Sequence, residues 1–220
     1  MIIGVCGFIG SGKDTIADYL VNIYGFRRES FASSLKDAVA HVFGWDRTML
    51  EGRTKQAREW REQVDPWWSK RLDMPALTPR WVLQHWGTEV CRRAFHDDIW
   101  IASLENKLRQ ITDDVVISDC RFPNEIKAIN AAGGIVVRVV RGPEPDWLQH
   151  ARNYMSGDHT IGWSLGHKAL DTAGIHASEY SWVNTNFDSV LDNNSTMDNL
   201  YEQINCLALD HQVSKANRTS

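Results

Sequence analysis

Met1-Ile2-Ile3-Gly4-Val5-Cys6-Gly7-Phe8-Ile9-Gly10-Ser11-Gly12-Lys13-Asp14-Thr15 opens the chain, and its reading decides the fold. Ile2 to Cys6 is a short apolar run with the look of a buried strand. It breaks into a glycine-rich turn, Gly7 to Gly12, and then into a helical pattern beginning near Lys13. Glycines at such a turn let successive backbone N–H groups converge on phosphate oxygens, with a helix N-terminus behind them and a lysine in its first turn. The motif with strand before and helix after is a phosphate-binding loop, a P-loop, in its expected context. The position after the lysine, where a hydroxyl residue is usual, is Asp14, and the hydroxyl is displaced to Thr15. Asp14 is read as holding Mg²⁺ directly or through water and Thr15 as donating a hydrogen bond to a phosphate, and the sequence leaves that division open.

Working outward, Ile16, Leu20 and Ile23 share one helical face, and Gly25 ends that helix. Phe26 to Phe31 fits a short second strand. Ser33 or Ser34 is placed to cap a helix through Leu35, Val39 and Phe43 to Gly44. Thr54 to Val64 reads as helical, whereas Asp65-Pro66-Trp67-Trp68 and the stretch from Pro75 to Pro79 read as loop. Pro79 opens a long helix, Arg80 to Phe95, and another helix spans Ile99 to Ile111. Val115 to Asp119 is a second buried strand ending in an acid, Pro123 begins a helix reaching Gly133-Gly134, and Ile135 to Val140 is a β-branched strand suited to a parallel sheet. From Arg141 to Asn186 the pattern is polar and reads as a mobile excursion rather than a second core. Phe187 to Leu191 is a weak last strand, Asn193-Asn194 a turn, and Thr196 to Leu209 a closing helix. Alternating strands and helices make an α/β fold, with phosphate bound at the strand C-termini.

Composition narrows the function. The 220 residues suit one domain with insertions, and the net charge of −4 gives no bulk electrostatic reason to expect nucleic acid. Arg53, Lys55, Arg58 and Arg61 form a local basic cluster available to phosphates. Cys6, Cys91, Cys120 and Cys206 are far apart and read as reduced thiols. No apolar run reaches the length of a membrane span, so the chain is expected to be soluble and cytoplasmic, with no membrane partner. His159, His167 and His176 lack the spacing of a zinc site. His150, Arg152 and Lys168 are read either as lid residues over donor phosphates or as solvated loop charges.

Asp119 stands at the carboxyl edge of the sheet with the P-loop, where an acid holds Mg²⁺ or its waters or orients an acceptor. Arg121 follows by two residues, and its planar fork suits a phosphate. Lys36 lies near where an acceptor phosphate would enter. Glu89 and Arg93 form either an i,i+4 ion pair or, with Trp86 and Arg92, part of a base-and-sugar pocket. These parts suffice for phosphoryl transfer without a covalent intermediate, by positioning and charge stabilisation under a lid.

Five motifs run in order along the chain: Gly7-x-x-x-Ser11-Gly12-Lys13-Asp14-Thr15, Phe31-Ala32-x-x-Leu35-Lys36-Asp37-Ala38, Leu83-Gln84-x-Trp86-Gly87-Thr88-Glu89-x-x-Arg92, Ser118-Asp119-x-Arg121-Phe122-Pro123-Asn124-Glu125 and His176-x-Ser178-Glu179. Taken together they resemble the bacteriophage deoxynucleoside monophosphate kinases of the P-loop kinase superfamily. The resemblance implies a P-loop kinase fold, a central parallel sheet with helices on both faces and with nucleotide-binding and lid insertions. It implies one domain over 1–209, with an acceptor-binding helical segment at about 33–111, a lid at about 141–186 and a polar tail at 210–220. ATP would be bound by Gly7, Gly10, Ser11, Gly12, Lys13, Asp14 and Thr15, with Mg²⁺ served by Asp14 and Asp119. The monophosphate would be bound by Phe31, Lys36, Trp86, Glu89, Arg92 and Arg121, with Lys13, Arg121 and Asp119 catalytic. It also implies a homodimer, working in the host cytoplasm if phage-encoded. The alternatives are a kinase resembling dephospho-coenzyme A kinase or phosphomevalonate kinase, which need no stacking aromatic, and a non-catalytic ATP-gated binding protein.

Overall fold

A computed structural model describes residues 1–158 and 161–216, the side chains of 210–216 excepted. The chain forms two compact units, one of residues 1–29 with 112–220 and one of residues 30–111.

The first unit is built on five strands: β1 (Ile2–Cys6), β2 (Arg27–Glu29), β3 (Val115–Ile117), β4 (Ile135–Val140) and β5 (Ser189–Asp192). They pair in the order β2-β3-β1-β4-β5, every pair parallel. Register sets Gly4 beside Ile117 and Val136, and Val140 beside Asp192. The alternation of a parallel strand then dictates two faces. Ile3, Val5, Val116, Val137, Val139 and Leu191 meet Ile16 and Leu20 of α1 (Lys13–Tyr24) and Leu200 and Ile204 of the closing helix (Met197–Ala216). On the opposite face Gly4 leaves room for Ile129 of the helix Pro123–Ala131, since a Cβ there would come within 2.6 Å of the Ile129 Cδ1. Helices therefore cover both faces of a five-stranded parallel sheet, which is the expected fold class.

The strands end earlier than their apolar runs. β3 stops at Ile117, leaving Ser118 and Asp119 beyond the ladder, and β2 is only Arg27–Glu29. The closing helix runs past Leu209 to Ala216, and residues 217–220 of the expected tail lie outside the described residues. The polar stretch after β4 departs from its reading. It folds into helices Leu148–Met155, Ile161–Thr172 and Ala177–Tyr180, with Ala151, Leu170 and Tyr180 buried together in a small apolar cluster. The cluster gathers its residues from three short helices, so no one stretch of sequence announces it.

The second unit is helical. It contains α2 (Ser33–Phe43), α3 (Arg47–Glu51), α4 (Lys55–Arg61), α5 (Pro66–Leu72), α6 (Pro79–Gln84), a π-helical stretch His85–Arg93, and α7 (Ile99–Leu108). Leu35, Val39, Phe43, Trp45, Leu50, Leu77, Val82 and Trp100 make its core. Asp65-Pro66-Trp67-Trp68 is a helix start and not a loop: the Asp65 carboxylate accepts from the Trp68 N–H at 2.9 Å and Pro66 takes the first helical position. The long helix expected from Arg80 to Phe95 is also revised. After Gln84 its bonds widen to i→i+5, as in Ala94 N–H to Glu89 C=O at 3.1 Å and His96 N–H to Cys91 C=O at 2.9 Å.

The tryptophans explain themselves in this unit. Trp45 donates to Asp65 at 2.8 Å, Trp68 to the Phe43 carbonyl at 3.0 Å and Trp100 to the Gly87 carbonyl at 3.0 Å. Each indole thus buries its body and satisfies its single donor. The basic cluster is largely used locally: Arg58 donates to the carbonyls of Gly52 and Arg53, and Arg61 to that of Leu50. Side-chain donors there meet the unpaired carbonyls at the end of α3.

Candidate active site

All five strands deliver their carboxyl ends to one edge, and the loop Gly7 to Gly12 leaves β1 there. Its backbone takes conformations that only glycine adopts without strain: Gly7 has φ 149°, and a Cβ on it would lie 2.6 Å from the Val139 carbonyl oxygen. Gly12, at φ 106°, is the cap from which α1 starts. The Lys13 ammonium folds back over the loop and donates to the carbonyls of Gly7 and Phe8, both at 2.8 Å. Ser11 is buried, and its hydroxyl oxygen has no partner among the described residues. A buried hydroxyl left in that state is costly unless something polar arrives, and a phosphate oxygen would satisfy it.

Burial pushes the Lys13 ammonium below the ordinary lysine value, and the nearby Arg121 guanidinium pushes it further the same way. Two cations are therefore held close enough to disfavour each other. The Arg121 Nη1 donates to Glu179 Oε1 at 3.1 Å and, more loosely, to Ser178 Oγ at 3.4 Å. His176, Ser178 and Glu179 form one small array, with Ser178 accepting or donating to His176 Nδ1 at 2.9 Å. Behind it the buried Glu125 carboxylate accepts from the backbone N–H groups of Arg121 and Phe122 at 2.8 and 3.1 Å, which fixes the backbone from which the guanidinium projects. Asp119 is half-buried just past β3.

Asp14 has a partner that its sequence position did not announce. Arg28, on β2, reaches the Asp14 carboxylate in a close ion pair, bonds Asp18 at 2.6 Å and donates to Ser118 Oγ at 2.9 Å. One guanidinium thus ties the first turn of α1 to the end of β3, next to Asp119. Sequence reading passed over Arg28 because its partners lie 10, 14 and 90 residues away.

An aromatic clasp secures the outer part of the loop. Phe8 meets Trp147 edge to face at 5.5 Å and Trp182 at 4.7 Å, and the Arg138 guanidinium lies 5.9 Å from the Phe8 ring. Glu144 joins Arg138 and Arg152, each at 3.2 Å. His159 lies outside the described residues. Burial raises the Cys6 thiol to about 12 and sends that of Cys120 well above the ordinary value, so both behave as packing groups.

The acceptor candidates Phe31, Lys36, Trp86, Glu89 and Arg92 all belong to the helical unit. Phe31 is buried. Lys36 is paired with Glu51 at 2.7 Å, and Glu51 is also gripped by Arg47. Burial would raise the Glu51 carboxyl, but Lys36 and Arg47 override it and hold the group at about 2. Trp86 packs against the unit's core with its ring edge-on to Phe43 at 5.4 Å. Glu89 bonds Arg93 at 2.7 Å, the i,i+4 pair, while Trp86, Glu89 and Arg92 all ride on the π-helical stretch. Wide helical turns occur often at functional sites.

Comparison with known proteins places this geometry. No family model matches the chain. A protein of Acanthamoeba polyphaga mimivirus, named "Putative deoxynucleotide monophosphate kinase", is 30% identical over 219 positions, covering 93% of this chain and 94% of that one. The deoxynucleoside-5'-monophosphate kinase of Escherichia phage T5 is 28% identical over 174 positions, covering 57% of this chain and 70% of its own. Among solved structures, shikimate kinase from Aquifex aeolicus superposes over 97% of this chain and 98% of its own, at 14% identity and a TM-score of 0.47. With a glycine loop after β1, a five-stranded parallel sheet in this order and kinship along nearly its whole length, the chain belongs to the deoxynucleotide monophosphate kinase family of ATP-dependent P-loop phosphotransferases.

Proposed function

We propose that this protein transfers the γ-phosphoryl group of ATP to a deoxynucleoside 5′-monophosphate, giving the diphosphate and ADP and supplying precursors for DNA synthesis. The observation that carries the reading is the loop itself: Lys13 folds back onto the Gly7 and Phe8 carbonyls, the buried Ser11 hydroxyl has no partner among the described residues, and Arg121 is near enough to lower the Lys13 ammonium. Two like charges held together are unfavourable alone and become favourable when anions lie between them. A donor phosphate on Lys13 and an acceptor phosphate on Arg121 would supply those anions.

In this reading Gly7, Gly10, Ser11, Gly12, Lys13 and Thr15 bind the donor phosphates. The backbone N–H groups are aimed by the loop, and the Ser11 hydroxyl gains the partner it lacks. Lys13 exchanges its two loop carbonyls for phosphate oxygens and meets the charge that develops on the transferring group. Arg121 leaves Glu179 for the acceptor phosphate. By the resemblance of their motifs, Phe31, Lys36, Trp86, Glu89 and Arg92 would take the acceptor's base, sugar and phosphate. Helices from 148 to 180 serve as the lid that excludes water. The acceptor is itself a phosphate oxygen, so no general base is required.

The oxygen ligands present suit Mg²⁺ entering with the nucleotide, a hard cation that keeps waters and phosphate oxygens and takes one or two carboxylates. Among the described residues no group of three or more His, Cys, Asp or Glu converges to cage a resident metal. Arg28 joins Asp14 to Ser118, the neighbour of Asp119, which brings both candidate carboxylates to one edge. Asp119 would bind the ion and Asp14, already paired, would act through water, and the ion would shield the β- and γ-phosphate charge. The enzyme would work as a dimer in the host cytoplasm, and among the described residues no helix is long and apolar enough to cross a membrane.

A coupled assay for ADP, run over the common deoxy- and ribonucleoside monophosphates, tests the reading. ADP release with at least one deoxynucleotide is expected, and release with none of them refutes it.

A further inference from the structure

The phosphate loop is held from a point 182 residues away in sequence. Asn193 follows β5 directly, at the edge where that loop lies. Its backbone N–H donates to the Val140 carbonyl at 2.9 Å, extending the β4–β5 ladder by one bond. Its side-chain Nδ2 donates to the Ser11 carbonyl at 2.8 Å, in a bond that is fully buried.

Both neighbours of Asn193 are tied down. Gln203, on the closing helix, accepts from the Asp192 N–H at 2.8 Å and donates to the Asp192 carbonyl at 2.9 Å. The Asp192 carboxylate accepts from the Asn194 backbone and side chain at 2.9 and 2.7 Å, and the Asn194 side-chain oxygen accepts from the Gly142 N–H at 2.6 Å. The turn is thus braced against a helix, a strand and the segment after β4. The Asn193 amide is left with one direction to point, and it points at the loop. Gly12 completes the fit, because a Cβ on it would collide with the Asn193 Nδ2.

We propose that Asn193 is a positioning residue for ATP, acting through the peptide that joins Ser11 to Gly12. A trans peptide is planar, with its C=O and N–H pointing in opposite directions. Holding the Ser11 carbonyl toward β5 therefore aims the Gly12 N–H away from β5, into the hollow of the loop, before any ligand arrives. Without the amide, that peptide is free to rotate, and binding of ATP must order it. Asn193 touches neither substrate in this proposal, which rests on the assignment of ATP to the Gly7 to Gly12 loop.

The test compares Asn193→Ala and the isosteric Asn193→Asp with the wild-type chain by steady-state kinetics, by calorimetric titration with ATP and by thermal unfolding. Loss of the amide donor should raise both KM and Kd for ATP by about tenfold or more. KM for the monophosphate should stay within about twofold of wild type, since a preorganised donor loop does not touch the acceptor. Asn193→Asp should bind ATP more weakly than Asn193→Ala, because it sets a carboxylate oxygen against the Ser11 carbonyl. Folded variants with unchanged Kd for ATP, or with equal losses for both substrates, overturn the proposal. So does failure of both variants to fold, which would make the amide a support of the fold rather than of the loop. Wild-type chain that binds no ATP would instead refute the donor-site assignment, a result the titration separates from the others.

Discussion

Replacing Arg121 with alanine separates an acceptor-side role from a structural one. The guanidinium is 41% exposed and its ion pair with Glu179 spans 3.1 Å, so losing that pair should cost about 0–1 kcal/mol of stability. For a chain of this size that corresponds to a drop of roughly 2–4 °C in Tm at most. A guanidinium that meets phosphate in the transition state contributes far more. Removing one such donor costs about 3–4 kcal/mol, or a factor of 10²–10³ in rate. The expected variant is therefore nearly as stable as wild type, with kcat/KM for the monophosphate down by that factor and ATP affinity little changed. The structure adds a second signature. Arg121 depresses the Lys13 ammonium, so its removal lets that group move back up toward the ordinary value of 10.5. In a pH profile of kcat/KM for ATP, which reports groups of the free enzyme, the alkaline limb should shift to higher pH. Stopped assays across pH with each substrate varied in turn would measure both effects. Equal losses for the two substrates, or an alkaline limb that stays in place, would show that Arg121 serves the fold or the donor side.

Lys13→Ala should lower kcat by about 10² or more with circular dichroism unchanged, because charge on the transferring group goes unmatched; near-normal turnover in a coupled assay would refute the donor-site reading. Glu51 gives an acid-stability prediction. Its folded value of about 2 lies below the ordinary 4.5, so its contribution is complete above 4.5 and is lost as pH falls from there toward 2. Urea unfolding at about pH 5 and pH 3 should therefore show a smaller loss for Glu51→Gln than for wild type, and parallel losses would mean that Lys36 and Arg47 do not hold the carboxylate.

The nucleotide cradle was legible because its signal is local. A strand, a glycine turn and a helix start fall within fifteen residues, and the left-handed backbone of Gly7, Gly10 and Gly12 answers to the glycines that the sequence places there. Pro66 shows where local reading misled. A proline beside two tryptophans resembles a loop, yet Asp65 caps and Pro66 starts a helix, because a proline costs nothing at a position whose N–H has no partner. The π-helical stretch was not legible at all. Its sequence fits an ordinary helix, and the widened bonds accompany packing, with Gly87 letting Leu35 approach closely and its carbonyl receiving the Trp100 indole.

By itself, the sequence determined the α/β alternation, the parallel sheet's buried strands, the P-loop and the set of charged residues near it. Those properties repeat every two or 3.6 residues or sit inside one turn of chain, so nearest neighbours specify them. Tertiary structure alone decided the partners: Arg28 on Asp14, Glu179 on Arg121, Glu51 on Lys36, and Asn193 on the Ser11 carbonyl. Two of those four links span 58 and 182 residues, and the shorter two, Arg28 on Asp14 and Glu51 on Lys36, still depend on how neighbouring elements pack. A side chain's partner is set by which strand ends the topology gathers at one edge, and no periodicity along the chain carries that information. Asp14 illustrates the difference. As a letter after the lysine it reads as a metal ligand, and in the folded chain it is first the partner of an arginine.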